Sequence, residues 1–111
     1  MRFFNQGLIL EAEREFQAAL VADGGNADAH AGLALVRERG GDLQEAHAQA
    51  DESVKMKPNV AAYLVLARLD LQANQKTAAA GDVSEALKLE PQNSAAHALR
   101  QQIESKGQTV P

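Results

Sequence analysis

Three histidines are the residues of this sequence that could ligate a metal ion or act in acid–base catalysis: His30, His47 and His97. His47 lies four residues before Asp51, a spacing that puts two side chains on one helical face. A metal site needs three or four convergent donors, and these residues lie in separate segments. We interpret His30 and His97 as half-buried rings and His47 as a solvent-facing helix residue. The sequence therefore predicts neither a metal nor a cofactor.

Closely spaced carboxylates are the second chemical candidate, because two of them can act as a general acid and a general base. These carboxylates are Glu11, Glu13, Glu15, Asp51 and Glu52. We interpret them as hydrated helix faces. Two glycine-rich stretches, 24–26 and 40–42, lack the Gly-x4-Gly-Lys spacing of a phosphate-binding loop. No serine, histidine and acid arrangement is present either, so we predict no catalytic residues and no enzymatic activity.

The elements that carry these side chains follow an internal repeat. Ala12, Ala46 and Ala79 each begin the same apolar pattern, which recurs with the regular period of a helical repeat array. Similar residues follow each alanine by four, seven, eight and twelve positions. They are Phe16, Ala50 and Val83; Ala19, Ser53 and Ala86; Leu20, Val54 and Leu87; and Gly24, Pro58 and Pro91. The first three spacings define one helical face, and the glycine or proline ends the helix.

A second amphipathic helix precedes this one in each repeat. His30, Leu33, Ala34 and Arg37 stand at relative positions 0, 3, 4 and 7. The same spacing recurs one repeat later, in Tyr63, Leu66, Ala67 and Asp70. Gly7, Gly41 and Asn74 lie five residues before the alanines and are residue types that tolerate the left-handed conformation at a helix end. The repeating unit is therefore predicted to be helix, tight turn, helix and stop.

At these positions the sequence resembles the tetratricopeptide repeat family, whose pattern is W-x2-L-G-x2-Y, then A-x3-F, then P, over a repeat of about 34 residues. His30 and Tyr63 occupy the Trp position, and Ala12, Ala46 and Ala79 the Ala position. The Tyr position departs from the pattern. The resemblance implies an all-α fold: a right-handed superhelical array of antiparallel helix pairs, or α-solenoid, that binds other polypeptides.

The repeat register predicts the organisation of the chain. We expect a partial repeat at 1–26, repeats at 27–59 and 60–93, a capping helix at 94–106 and a tail at 107–111. Met1 falls eight residues into a repeat, so the array looks cut, with a stub at 3–7 before a helix at 8–22. The last helix leaves the register: Ala95, Leu99 and Ile103 are predicted to form its apolar face.

Composition excludes several classes of function. The chain of 111 residues has a formal net charge of −4, whereas a nucleic-acid surface needs a net basic face. It has no apolar run long enough to cross a bilayer and no signal-peptide pattern in this sequence, so we expect no membrane span. Cysteine is absent, which excludes disulfides. We expect a soluble protein, and composition leaves the compartment open between cytoplasm and periplasm.

The resemblance implies that the first helix of each pair lines a concave groove. Side chains turned away from the packing positions of these helices are the candidate peptide-binding residues. They are Asp28, Ala31, Leu35, Glu38, Arg39, Ala61, Leu64, Arg68, Leu71 and Gln72. An apolar strip edged by Arg39 and Arg68 would suit a protein or peptide partner that carries apolar anchors and a carboxylate.

Homotypic assembly is the alternative hypothesis. Four apolar residues near the start of the chain belong to a helix whose expected neighbour is mostly missing, and two phenylalanines lie just before that helix, at the cut. An uncovered apolar face favours a homo-oligomer. These candidate self-association residues are Phe3, Phe4, Leu8, Leu10, Phe16 and Leu20.

Overall fold

Six α-helices form the regular structure of the part of the chain that the structure, a computed structural model, describes, which is residues 6–111, with side chains from Leu8 onward. The helices are α1 (Gln6–Ala22), α2 (Ala27–Arg39), α3 (Leu43–Met56), α4 (Val60–Gln72), α5 (Lys76–Leu89) and α6 (Ser94–Ser105). The all-α prediction is confirmed for this range. Helix α1 begins two residues before the predicted start, and α6 ends one residue before the predicted end.

The helices group into two units, which meet in sequence at Lys57 and Pro58. In the first unit α2 packs against both α1 and α3. In the second unit α5 packs against α4 and α6, and α4 also touches α6. Consecutive helices are therefore packing neighbours within each unit, as expected for short connections.

An asparagine begins the first helix of each pair and also begins α6. In each case its side-chain oxygen accepts a hydrogen bond, 2.9–3.0 Å long, from the backbone N–H three residues later. The three caps are Asn26, Asn59 and Asn93. An asparagine cap satisfies one of the N–H groups that a helix start leaves without an intrahelical partner. The caps therefore fix where α2, α4 and α6 begin and which residues share a face.

Three left-handed residues end these same helices, each one repeat after the last. The backbone φ is 87° at Gly41, 61° at Asn74 and 92° at Gly107. In each turn the next backbone N–H donates to the carbonyl five residues earlier, at 2.7–3.3 Å. This bond is the signature of a Schellman C-cap. The predictions for Gly41 and Asn74 are confirmed, and Gly107 repeats the same turn after α6.

Gly7 was predicted to form such a turn, and this prediction was wrong. It lies inside α1, which begins at Gln6. One glycine in a helix costs only about 1 kcal/mol relative to alanine, so it does not have to end the helix.

Small residues form much of the interior. In the described range, the alanines that are 0% exposed are Ala34, Ala46, Ala50, Ala62, Ala67, Ala79, Ala86 and Ala96. In the second unit the larger members of the core are Leu64, Val83, Leu99, Ile103 and Val110. The small alanine side chain lets the backbones of neighbouring helices approach closely. The interior between the helices is therefore filled with few large side chains.

Helix α6 presents Ala96, Leu99 and Ile103 to the core. The prediction that Ala95 belongs to this face was wrong, because Ala95 is exposed. The neighbouring residue Ala96 is 0% exposed. Adjacent helical residues point about 100° apart, and the Asn93 cap places Ala96 where Ala29 and Ala62 stand in α2 and α4.

Candidate functional site

The predicted groove residues of α2 share one helical face but differ in exposure. Asp28 and Arg39 are exposed, whereas Leu35 and Glu38 are partly buried. Ala31 is only 5% exposed and belongs to the buried set of α2. A ligand on this face would therefore meet carboxylate, guanidinium and leucine surface rather than Ala31.

The predicted groove residues of α4 show a similar gradation. Ala61 and Gln72 are exposed, and Arg68 and Leu71 are partly buried. Leu64 is 9% exposed and lies in the core cluster, against which Leu71 also packs. The apolar surface that α4 offers to a ligand is consequently smaller than its sequence suggested. The role of these residues in binding stays a prediction.

His30 links the two helices of the first pair. Its Nδ1 atom lies 2.6 Å from Oε1 of Gln49, and its Nε2 atom lies 3.1 Å from the carbonyl oxygen of Gly24. Gln49 in turn donates from Nε2 to the carboxylate of Glu45 at 2.8 Å. Both ring nitrogens of His30 are thus engaged within the protein. The sequence did not reveal Gln49 as a partner, although its alignment with Glu15 and Asp82 in the repeat marks the position.

The other two histidines lie in different surroundings. His97 is partly buried, and its Nε2 atom lies 2.7 Å from the carbonyl oxygen of Pro91. His47 is exposed. Within residues 6–111 no group of three His, Asp or Glu side chains is arranged to hold a metal ion.

The carboxylates that the sequence suggested as an acid–base pair make contacts with different partners. Glu13 forms a salt bridge with Arg37 of α2 at 2.9 Å, and Asp51 pairs with Lys55 one turn later at 3.1 Å. The remaining carboxylates, Glu11, Glu15 and Glu52, are exposed. The bridge from Glu13 helps to hold α1 against α2, while the pair within α3 is a solvent-exposed contact that contributes little free energy.

Helix α1 is also fixed by a close fit between Phe16 and Gly32. A Cβ atom built on Gly32 would lie nearer to three carbons of the Phe16 ring than atoms can approach. The ring therefore occupies the space that any larger residue at 32 would need. The sequence pattern assigned no role to Gly32, and a glycine in the middle of an otherwise regular helix was the available signal.

The predicted self-association residues divide into two sets. Leu8 is 53% exposed and Leu10 is 48% exposed, whereas Phe16 and Leu20 are partly buried. Phe3 and Phe4 lie outside the described residues. Leucine at half its possible exposure on one helix is apolar surface available for contact with another molecule.

In the second helix pair, Tyr63 of α4 occupies the repeat position that His30 occupies in α2. Burial raises the pKa of Tyr63 above 10.0, and the charges of Glu85 and Asp82 on α5 raise the pKa further. A shallow depression of about 280 Å³ lies farther along this unit, beside the tail, and is lined by Glu104, Gly107, Gln108 and Thr109. Its lining offers one carboxylate and no second titratable group.

No model of a known protein family matches this chain, and a search of curated proteins finds no match either. None of the helices in residues 6–111 combines the length and the apolar character that a membrane crossing requires.

Proposed function

We propose that this chain is a non-catalytic protein-interaction module of the tetratricopeptide type, which binds a peptide or protein segment along α2 and α4. In this proposal the helix pairs stack as a right-handed superhelix, and α6 closes the array as a polar capping helix. The observation that supports this proposal is that both hairpins share one backbone frame, which consists of the same cap, turn and buried alanine. Each first helix begins at an asparagine cap and ends in a left-handed turn, and a fully buried alanine follows five residues after that turn.

Repeated hairpins of this kind support binding because successive first helices present similar faces to a ligand. Here the α2 face carries Asp28, Leu35 and Arg39, and the α4 face carries Ala61 and Arg68. Guanidinium groups bind carboxylates through two parallel hydrogen bonds, and leucine surface binds apolar anchors. We therefore propose a partner segment that contains an acidic residue beside apolar side chains.

The test is selection of binders from a displayed library of random dodecapeptides, followed by fluorescence anisotropy with the selected peptides. We expect acidic, leucine-rich peptides, and a loss of affinity of at least about tenfold in the Arg39→Glu, Arg68→Glu double variant. Arg14→Glu, an exposed arginine on α1, is the matched control and should bind as the parent does.

Circular dichroism should report equal helicity for the parent and both variants. Selected peptides that bind the double variant as tightly as the parent would refute the use of α2 and α4. Selection of basic peptides would contradict the proposed chemistry of the partner.

Homotypic assembly is the second candidate, and the exposed Leu8 and Leu10 favour it. If assembly is the function, Leu8→Ser with Leu10→Ser should shift the sedimentation equilibrium towards monomer, and the Arg39 and Arg68 changes should leave it unaltered. A strict monomer at millimolar concentration would rule this candidate out.

A further inference from the structure

The ring of His30 lies between two oxygen atoms that accept hydrogen bonds. Its Nε2 atom is 3.1 Å from the backbone carbonyl oxygen of Gly24, in the loop between α1 and α2. Its Nδ1 atom is 2.6 Å from the side-chain oxygen Oε1 of Gln49, on α3. A carbonyl oxygen has no proton to donate, so a hydrogen bond on each side requires a proton on each ring nitrogen. A neutral ring carries one such proton, and only the imidazolium cation satisfies both contacts.

The orientation of the Gln49 side chain is fixed by Glu45, which lies one turn earlier on α3. The Nε2 atom of Gln49 donates to the carboxylate of Glu45 at 2.8 Å. If the amide of Gln49 turned over, its oxygen would face the carboxylate oxygen, and neither atom has a proton to share. Glu45 therefore keeps the amide oxygen of Gln49 directed at His30. This series of contacts ends in an acceptor on both sides, at the Gly24 carbonyl and at the Glu45 carboxylate.

His97 makes the same backbone contact without the second one. Its Nε2 atom lies 2.7 Å from the carbonyl oxygen of Pro91, which is six residues earlier, as Gly24 is six residues before His30. Within residues 6–111, no side chain or backbone group forms a hydrogen bond with the Nδ1 atom of His97. One proton, on Nε2, is therefore enough for His97. The two rings stand four residues after their asparagine caps, in α2 and α6, and require different numbers of protons.

Loss of one proton from His30 leaves the ring with one of its two contacts. If Nδ1 lost the proton, the Gln49 amide would have to turn over, and its bond to the Glu45 carboxylate would break. If Nε2 loses the proton, only the contact with Gly24 is lost, and this loop residue is exposed, so water can replace the ring. A hydrogen bond to a carboxylate is stronger than one between neutral groups. The neutral ring therefore stays bonded to α3 and releases the loop.

We propose that Gly24, His30, Gln49 and Glu45 form a proton-controlled latch on the loop between α1 and α2. In the imidazolium form the ring joins the loop to α3 through both nitrogens. In the neutral form it keeps Gln49 through Nδ1–H and no longer binds the loop. Histidine changes its charge between about pH 5 and pH 8, so the latch is closed at the acid end of this range and open at the alkaline end.

The latch has charged and titratable groups on every element around it. They are Glu13 of α1, Asp23 of the loop, Asp28 and Arg37 of α2, and Glu45 and His47 of α3. Carboxyl and guanidinium groups ordinarily keep their charge between about pH 5 and pH 8. His47 is exposed and stands two residues before Gln49, which places it about 200° around the helix. The proton that opens or closes the latch in this range is therefore the one on His30.

The test is a series of long-range proton–nitrogen NMR spectra of the histidine rings between about pH 5 and pH 8, in which a ring nitrogen moves far downfield when it loses its proton. At the alkaline end we expect the Nδ1–H tautomer for His30 and the Nε2–H tautomer for His97. The carbonyl carbon signal of Gly24 should shift together with the ring signals of His30. The carbonyl carbon signal of Pro91 should stay nearly constant, because His97 keeps its Nε2 proton.

A variant of the protein makes the test selective. Gln49→Leu removes the acceptor at Nδ1, so the neutral ring of His30 can keep its Nε2 proton and its bond to Gly24. We expect the neutral tautomer of His30 to change from Nδ1–H to Nε2–H, as in His97. Gln44→Leu, at an exposed glutamine of α3, is the matched control and should leave the tautomer unaltered. If Gln49→Leu does not fold, the comparison of His30 with His97 in the parent protein decides the proposal.

Three results would overturn the proposal. They are a neutral His30 that carries its proton on Nε2 in the parent, a Gly24 carbonyl signal that does not respond when His30 loses a proton, and the same neutral tautomer of His30 in the parent and in Gln49→Leu. These spectra are recorded without a ligand. Their outcome is therefore independent of the dodecapeptide test.

Discussion

The hairpins α2–α3 and α4–α5 share a backbone frame but join their helices with different chemistry. Both begin at an asparagine cap and turn through a left-handed residue. In the first hairpin, polar bonds cross between the helices: the Ser53 hydroxyl donates to the carbonyl of Ala27 at 2.7 Å, and His30 contacts Gln49. In the second, Ala86 stands where Ser53 does.

The backbone frame of a hairpin and the side-chain contacts between its two helices are therefore independent features. Caps and turns satisfy backbone groups locally, so they recur whatever the facing side chains are. The contact between helices has only to fill space and satisfy buried polar groups, and both hairpins achieve this in their own way. Substitutions at the contacts should consequently affect the two hairpins differently wherever their side chains differ.

Overpacking should affect both hairpins most strongly. Ala46→Phe and Ala79→Phe insert a ring at fully buried positions and should each lower the free energy of unfolding by about 1–3 kcal/mol. Ala48→Phe and Ala78→Phe, at exposed neighbouring positions, are the matched controls. Urea titration followed by circular dichroism measures the difference. Equal stability of buried and exposed variants would contradict the helix pairing.

Removing the polar bond should affect the first hairpin only. Ser53→Ala deletes a buried hydrogen bond and should lower the free energy of unfolding by about 1 kcal/mol. The reciprocal Ala86→Ser should be within about 0.5 kcal/mol of the parent if its hydroxyl can reach the matching carbonyl of Val60. A larger loss for Ala86→Ser than for Ser53→Ala would show that the two backbones are not interchangeable.

Two helical glycines should respond to alanine with opposite sign. Gly81 lies in α5 with no atom within 4 Å of an added Cβ, so Gly81→Ala should raise the free energy of unfolding by about 0.5–1 kcal/mol. Gly32→Ala should lower it despite the same gain in helix propensity, because the Phe16 ring occupies the space. Thermal unfolding of both variants measures this contrast, and a stabilised Gly32→Ala would disprove the Phe16–Gly32 fit.

The smallest expected effect is a pH dependence of the second hairpin. Because burial and the charges of Glu85 and Asp82 raise the pKa of Tyr63, the folded protein holds the phenolic proton more tightly than the unfolded chain. This contribution to stability is present below pH 10 and is lost as the pH rises through the raised pKa. The chain has one tyrosine, so absorbance at alkaline pH follows this group directly.

The variant Tyr63→Phe should make the stability less dependent on pH above 10. Glu85→Gln should move the absorbance midpoint of Tyr63 back towards its ordinary value, although burial should keep part of the shift. A midpoint at or below the ordinary value in the parent would contradict the packing of Tyr63 against α5.

Predictions from sequence succeeded where the interactions are local. The left-handed turns at Gly41 and Asn74 follow from residue type and spacing, and the structure confirms them. They failed at Gly7, which lies inside α1, and at Ala95, which is exposed while its neighbour Ala96 is buried.

The candidate site shows the same division. Periodicity identified a common face for the groove residues, but it did not reveal that Leu64 enters the core cluster of its unit. Sequence spacing cannot show which non-consecutive helix will cover a residue. Here α6 contacts α4, although the whole of helix α5 lies between them in the sequence.

By itself, the sequence determined the helical period, the left-handed turns at Gly41 and Asn74 and most of the buried positions, because these depend on backbone hydrogen bonds and the period of the α-helix. Only the tertiary structure decided which residues contact each other between helices: Phe16 over Gly32, and His30 against Gln49. Such contacts join residues of different helices that are several turns apart in sequence, and their geometry depends on how whole helices pack.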